Sequence, residues 1–234
     1  MRIRVDERIF ELFPEARIHV LVAHDLDNSR RPDGFDAELE RRELAAAQRH
    51  AGVEAGSHPF LASWRNAYRA FGTNPRSHSP AAEALLRRLR KSRSLPRISW
   101  VVDAYNVVAV THLLPLGAYD LAKISGDVLL TRAQGDEWFV PLGRDVEPEH
   151  PRPGEVVYRD RQQILTRHWN HRDSAAVAIA EATTSAVFFC EAADAAVPST
   201  ALARAVGDLA GLLAPAERIA EHRLDATAPE ATVL

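Results

Sequence analysis

Cysteine and long apolar runs are both nearly absent from this chain. Cys190 is the single cysteine, so no disulfide can form within the chain, and the surrounding run AVFFCEA indicates a small buried side chain. No window approaches the roughly eighteen uncharged apolar residues of a membrane-spanning helix. The first ten residues carry charges throughout, unlike a secretory signal. These absences argue against a membrane partner and predict a cytoplasmic protein.

An excess of positive charge is missing as well. The formal net charge is −3, whereas proteins that coat nucleic acid usually carry a clear positive excess. Any RNA contact must therefore be local, and no DNA partner is expected. The local candidate is a group of basic residues on and just after a predicted helix: Arg87, Arg88, Arg90, Lys91, Arg93 and Arg97. Two interpretations stay open, a solvated helix face and a stripe that contacts phosphates.

Familiar catalytic motifs are missing too: there is no glycine-rich phosphate loop, paired-cysteine metal site or GxSxG elbow. The run HWNHRD places His168, His171 and Asp173 at a spacing that could bring two imidazoles to one metal in a helix. The alternative is a polar loop that caps neighbouring backbone or contacts a ligand. Because no further ligand lies nearby in the sequence, we expect no metal and no cofactor.

The composition that is present, 46% hydrophobic and 26% charged residues, is typical of an ordinary soluble globular protein. The length suits one substantial core. The patterning predicts a single domain over residues 1–225, with a helical portion at about 30–98, a core at about 99–195 and a C-terminal helix at about 199–215. Residues 226–234 are expected to be frayed.

Local patterns place the predicted elements. Residues 18–22 are a β-branched run typical of a buried strand. Helices are predicted over residues 35–50 and 59–71, and a third begins with Ser79 as N-cap and Pro80 at its first position. Later strands form two predicted hairpins, DVLLTRA with EWFVPLG and GEVVYRD with QQILTRHW. AVFFCEA is a further strand, followed by a helix that Ser199 caps.

The run WVVDAYNVVAVTHLLPL predicts a buried helix that ends before Pro115. Its polar residues are Asp103, Asn106 and His112. An unpaired polar group in such a run costs about 1–3 kcal/mol, so each must be hydrogen-bonded or face a cavity. Capping of neighbouring loops and catalysis both remain open. Glu191 is a similar case, because a carboxylate flanked by aromatic residues lies at a rim or recognises a ligand.

Residues 100–133, WVVDAYNVVAVTHLLPLGAYDLAKISGDVLLTRA, resemble a segment of the bacterial phenylalanyl-tRNA synthetase β subunit. The spacing of several family positions is kept without a gap: Asp103, Asn106, Pro115, Asp120, Gly126 and Arg132. TTSAVFFCEA also resembles the family's threonine followed by a hydrophobic strand ending in glutamate. The flanking segments resemble single-domain proteins that carry this B-three/four module alone.

The resemblance implies an α+β fold with a compact mixed β core, barrel-like or a sheet, containing a buried helix and flanking helices. It also implies hydrolysis of tyrosine wrongly esterified to the phenylalanine tRNA. The chain departs from the family at Tyr105, where the family has threonine, and at Gly117, where it has histidine. Glu191 stands at about the position of the glutamate that recognises the tyrosyl hydroxyl. HWNHRDS, which contains Trp169, replaces a glycine-rich loop.

These patterns predict a deacylase that acts in trans on aminoacyl-tRNA. The predicted catalytic residues are Asn106, His112 and Asn170, and the predicted substrate pocket comprises Tyr105, Gly117, Trp169 and Glu191. The basic group that begins at Arg87 is the predicted tRNA contact. Two rivals remain, a non-catalytic module that binds tRNA or an amino acid, and a scaffold that does neither.

Overall fold

The computed structural model describes residues 1–143, 146–216 and 218–233. Its helices in that part of the chain are α1 (Glu7–Leu12), α2 (Phe35–Arg49), α3 (Pro59–Ala70), α4 (Ala81–Ser92), α5 (Trp100–His112) and α6 (Ser199–Leu212). Its strands are β1 (Arg2–Val5), β2 (Arg17–His24), β3 (Leu116–Asp120), β4 (Val128–Arg132), β5 (Val156–Arg159), β6 (Ile164–Arg167), β7 (Arg172–Asp173), β8 (Ala186–Ala192), β9 (Arg218–Leu224) and β10 (Glu230–Thr232). Short 3-10 turns occupy Leu121–Lys123 and Ala175–Val177.

The strands form two sheets. One has the order β10-β1-β4-β5-β6-β7 and the other the order β3-β8-β2-β9. Neighbouring strands are antiparallel except β1 and β4, which are parallel. The predicted α+β class with a mixed β core and flanking helices is confirmed. Of the two forms that the sequence left open, the sheet is observed, because neither sheet closes into a barrel within the described residues.

The four-stranded sheet is the middle layer of the fold, because side chains alternate between its two faces. On β2, Leu21 and Ala23 pack in the cluster formed with the helices. Val20 and Val22 pack in a second cluster that fills the space between the two sheets. The alternating apolar residues of one strand therefore serve two hydrophobic cores.

The same alternation orients β8. Phe188 and Cys190 face the helices, whereas Val187 and Phe189 face the space between the sheets. Cys190 is buried, as its apolar surroundings predict, and burial raises the pKa of its thiol. Glu191 lies on the same face as Phe189. Strand periodicity therefore directs the Glu191 carboxylate between the two sheets.

Helix α5 is the buried helix predicted from its continuous apolar sequence. Ser99 caps its beginning by accepting a hydrogen bond from the Val102 amide at 3.4 Å. It ends where Leu113 adopts a left-handed conformation with φ of 54°, two residues before Pro115. Most of its residues are buried against α2, α4, α6 and β3. The helix thereby fixes the position of Asn106 relative to β3.

The first predicted hairpin is wrong. Strand β4 pairs instead with β5, with Leu130 opposite Tyr158. Residues 137–143 form only isolated bridges in the described chain, from Phe139 to Glu149 and from Pro141 to Ser174. Their proposed position beside β4 is occupied by β5. The second predicted hairpin is confirmed as the antiparallel pair β5 and β6.

The prediction of a frayed C-terminal tail is also wrong. Strand β10 pairs with β1, with Ile3 opposite Ala231. The preceding β9 pairs with β2 along its whole length, with Val20 opposite His222. Both ends of the chain thus complete the sheets around the predicted core at residues 99–195. The single-domain organisation remains a prediction.

Both predicted serine caps are displaced by one residue. Helix α4 begins one residue later than predicted, at Ala81, and its N-cap residue is Pro80. Helix α6 begins one residue earlier than predicted, at Ser199, and its N-cap residue is Pro198. The Ser79 hydroxyl accepts hydrogen bonds from the Arg87 guanidinium at 3.2 Å. The Ser199 hydroxyl accepts one from Arg17 at 2.9 Å. Arginine side chains bind the oxygens that would have capped the helices.

Candidate active site

A cavity of about 210 Å³ lies between the sheets, beside α4 and α5. Six of the predicted site residues line it: Tyr105, Asn106, Gly117, Trp169, Asn170 and Glu191. Six further polar residues that the sequence did not assign to a pocket line it too: Tyr119, Tyr158, Thr166, His171, Arg172 and Asp173. The fold therefore gathers most of the predicted pocket at one place.

Glu191 is the most deeply buried charged residue of this cavity, with 2% of its surface exposed. Its Oε1 accepts hydrogen bonds from the Tyr158 hydroxyl and, at 2.9 Å, from the Trp169 indole. Its Oε2 accepts from the Asn170 amide at 3.3 Å. Burial raises the pKa of Glu191 to about 7, and the three hydrogen bonds oppose that rise. The carboxylate holds three cavity-lining side chains in place.

The loop that follows β6 delivers Trp169 and Asn170 to Glu191. His168 and Trp169 are consecutive residues in the left-handed region, with φ of 49° and 68°. This backbone conformation is strained for any residue other than glycine. Two contacts hold this conformation: the Trp169 amide donates to the Val156 carbonyl at 2.6 Å, and the His168 amide donates to Glu155 at 3.1 Å. Strained backbone held in this manner is common at functional sites.

Asp173 is the second carboxylate of the cavity. Its Oδ1 accepts a hydrogen bond from Thr166 at 2.5 Å, and the Tyr119 hydroxyl lies 2.6 Å from the Thr166 hydroxyl. No donor in the described residues contacts its Oδ2. A side chain added at Gly117 would begin 3.5 Å from that oxygen. Burial raises the pKa of Asp173 to about 6, yet one of its oxygens remains open to the cavity.

Asn106 and Asn170 differ in what their amides already bind. The Asn170 amide is occupied at both ends, because its oxygen accepts from the Tyr68 hydroxyl at 2.8 Å and its nitrogen donates to Glu191. The partly exposed Asn106 amide makes no hydrogen bond to the described residues. Asn106 is therefore the free amide of the cavity, and Asn170 is placed to position Glu191.

The aromatic residues form the cavity walls. Tyr105 packs edge-on against Phe188 with ring centroids 6.2 Å apart, and burial raises the pKa of its hydroxyl. Trp169 is packed edge-on against Phe13 and Trp64, at centroid distances of 5.1 and 5.0 Å. Tyr105 and Trp169 both line the cavity.

His112 does not join the cavity, so its expected grouping with Asn106 and Asn170 is not observed. It lies six residues beyond Asn106, about 9 Å along the helix axis. Its Nε2 lies 3.0 Å from an oxygen of Asp208 on α6. The prediction failed because its ring pairs with a residue almost a hundred positions away.

The basic group on and just after α4 divides into two sets, and Arg87, which donates to the Ser79 hydroxyl, belongs to the first. Arg90 donates to the carbonyls of His50 and Val53, and Arg97 forms a two-bond pair with Glu43. These contacts hold α2 and its following loop against α4. A second set makes no hydrogen bond or ion pair in the described chain: Arg88, Lys91 and Arg93. Only this second set is free to contact phosphate.

Three histidines cluster beside the cavity. The His168 ring centroid lies 4.2 Å from that of His78 and 5.7 Å from that of His171. Burial is the largest cause that lowers the pKa of all three, that of His168 to about 2. They are therefore uncharged near pH 7. Among the described residues no group of three or more His, Cys, Asp or Glu side chains is arranged to hold a metal ion.

The residues that sequence reasoning missed follow from strand periodicity. Tyr119 lies two residues after Gly117 on β3, and Tyr158 lies opposite Thr166 across the β5 and β6 pair. Alternation places each pair on one face of its sheet. The alternation of side chains along each strand could be read from the sequence, but the packing of the two sheets against each other could not.

The raised pKa of Glu191 should make the free energy of unfolding depend on pH. Because its folded pKa of about 7 exceeds the usual 4.5, its contribution is fully present below about pH 4.5 and is lost as the pH rises through 7. At pH 5 the wild-type side chain is protonated, so Glu191→Gln exchanges one neutral hydrogen-bonding group for another and should change the free energy of unfolding by less than about 1 kcal/mol. At pH 8.5 the wild type should have lost about 3 kcal/mol relative to the variant, so the variant becomes the more stable protein.

Urea unfolding of both proteins at pH 5 and pH 8.5 measures this change, and the exposed Glu181→Gln serves as the matched control. Taking differences between proteins removes the histidine contributions, which act in the opposite direction. A difference in unfolding free energy between the two proteins that stays constant across the pH range would show that the carboxylate is not held as described.

Comparison with known proteins places the chain in a family. The family described as the B3/4 domain matches residues 63–206, which include α4, α5 and every strand residue that lines the cavity. The chain belongs to the B3/4 domain family. No protein with a curated description matches it.

Among solved structures, the chain is similar to an N-terminal fragment of the phenylalanyl-tRNA synthetase β subunit from Pyrococcus horikoshii. The identity is 11%, the TM-score is 0.41, and the match covers 89% of this chain and 48% of that fragment. The chain thus spans about half the length of that fragment. No helix in the described part of the chain has the length and hydrophobicity to cross a membrane.

Proposed function

We propose that this protein hydrolyses the ester bond between a wrongly attached amino acid and its tRNA, and that it acts in trans in the cytoplasm. The observation that carries the proposal is the cavity itself, in which a free amide and an open carboxylate oxygen face one space. Membership of the B3/4 family and the resemblance of residues 100–133 to the synthetase segment support it.

The reaction needs no covalent intermediate. Water attacks the ester carbonyl, the bond from that carbon to the ribose oxygen breaks, and a proton from the water ends on the ribose. Such a reaction is accelerated mainly by positioning and by a donor to the developing oxyanion. Asn106 supplies the donor because its amide is unoccupied. Glu191 and Asn170 keep the surrounding loop in place.

The path for tRNA runs along α4. Ala84 lines both the cavity and an adjoining groove of about 600 Å³, whose wall includes Arg88 and Lys91. Arginine and lysine side chains that make no internal contacts can neutralise phosphates and release counterions. A tRNA 3′ end bound in this groove would reach the cavity over one turn of helix.

The test is ester hydrolysis by the purified protein across a panel of mischarged tRNAs, with correctly charged tRNAs as the control. We expect release of the amino acid from at least one mischarged tRNA and little release from the correctly charged ones. Binding of charged tRNA without release would favour the non-catalytic module. If the protein neither binds charged tRNA nor releases the amino acid, both the deacylase and the non-catalytic module are contradicted.

Gly117 offers a further test of the cavity. A methyl group at this position lies 3.5 Å from Asp173 Oδ2 without a clash, so Gly117→Ala should fill only part of the space in front of that oxygen and weaken substrate binding less than a larger side chain does. Gly117→His would fill the space in front of Asp173 and should lower substrate affinity by about 10- to 100-fold, the cost of overpacking. Rates on one mischarged tRNA measure both. Equal rates would place the reaction elsewhere.

A further inference from the structure

Two carboxylates, that of the buried Glu191 and that of the partly buried Asp173, face one cavity and pair with no cation. Neither Asp173 nor Glu191 forms an ion pair with any basic side chain of the described residues. Buried charges in proteins are normally paired, since desolvation of an isolated carboxylate is costly. An unpaired pair of carboxylates beside an open space indicates that the missing positive charge comes with the ligand.

The basic residues nearest the cavity are directed elsewhere. Arg172 reaches Glu149 outside the cavity, with 3.8 Å between their charged atoms. His171 is bound through Nδ1 to the Ser79 carbonyl at 2.8 Å and is uncharged near pH 7. Although Arg172 and His171 line the cavity, neither pairs with Asp173 or Glu191.

The two carboxylates are not equivalent. Glu191 already accepts three hydrogen bonds from protein donors. Asp173 accepts one, from Thr166, and its Oδ2 points toward the gap left by the absent side chain at Gly117. A donor on the ligand can reach Asp173 without displacing a protein contact.

We propose that Asp173 binds a primary ammonium group of the ligand. The inference deepens the proposed function, because the positive charge common to aminoacyl esters is the α-ammonium group. It defines the substrate class as esters with a free amine. Esters whose amine is acylated, such as formylated or peptidyl ones, lose both the charge and the donors and are excluded.

The test uses amides, because an ester hydrolase leaves them intact and binding can be measured without turnover. Isothermal titration at millimolar concentration compares the amides of the common L-amino acids with their N-acetyl derivatives. We expect at least one free-amine amide to bind and its N-acetyl form to bind about 10- to 100-fold more weakly, the loss of a hydrogen bond to a charged group. This comparison in wild type does not depend on any variant folding.

Asp173→Asn should weaken binding of the same amide by a similar factor. Asp33→Asn changes an exposed surface residue and should leave that binding unchanged. Equal binding of free and N-acetyl amides would overturn the proposal, as would no binding by any amide. Failure of this proposal can be distinguished from failure of the proposed function. Amine-dependent binding with no ester hydrolysis would retain Asp173 as the ammonium acceptor and reject the deacylase.

Discussion

Replacing Asn106 with alanine is expected to slow ester hydrolysis by about 10²- to 10³-fold, the usual effect of removing one oxyanion donor. The side chain makes no hydrogen bond to the described residues, so the variant should unfold at nearly the wild-type denaturant concentration. The expected loss lies in kcat, because the donor acts on charge that develops in the transition state. Single-turnover rates on one mischarged tRNA measure it.

The matched control is Asn66→Ala, which removes an exposed amide on α3 whose hydrogen bond, to Arg69 at 2.9 Å, lies within the same helix. It should retain the wild-type rate. An Asn106→Ala protein with an unchanged rate would remove Asn106 from the mechanism, and a change in substrate affinity alone would assign it to ground-state binding.

A triple replacement of Arg88, Lys91 and Arg93 by glutamine should weaken binding of every tRNA alike. Each lost phosphate contact lowers the slope of log affinity against log salt by roughly 0.7 to 0.9. Three contacts would therefore reduce it by about two units and the affinity by about 10²-fold or more at low salt. Filter binding over a salt series measures both quantities.

Arg97→Gln is the contrasting variant, because Arg97 pairs with buried Glu43 inside the fold. It should lower the free energy of unfolding by about 1–3 kcal/mol, since Glu43 loses a charged donor, and should leave the salt slope unchanged. If the triple variant also keeps the wild-type slope, the free side chains of α4 are a solvated face.

The elements whose patterns are local could be predicted from the sequence. Helix α5 followed from one continuous apolar run that ends before Pro115. Strand β8 followed from AVFFCEA, and its period of two places Glu191 between the sheets. These features depend on residues that are neighbours in the sequence.

The features that failed depend on residues far apart. The tail was expected to fray because nothing local indicates that Ala231 pairs with Ile3. His112 was expected to act with Asn106 and Asn170, because nothing local in the sequence indicates that it pairs with Asp208 on another helix. Asp173 was considered as a metal ligand or as part of a polar loop and was not assigned to the pocket, since its position against Gly117 arises from the meeting of two sheets.

The most direct test of the account is a crystal structure with an amide-linked analogue of an aminoacylated terminal adenosine, which the protein cannot hydrolyse. The account predicts that the aminoacyl group lies in the cavity, with its carbonyl oxygen within hydrogen-bond distance of the Asn106 amide and its ammonium group against Asp173. An analogue bound outside this cavity, with Asn106 and Asp173 free of it, would contradict the account.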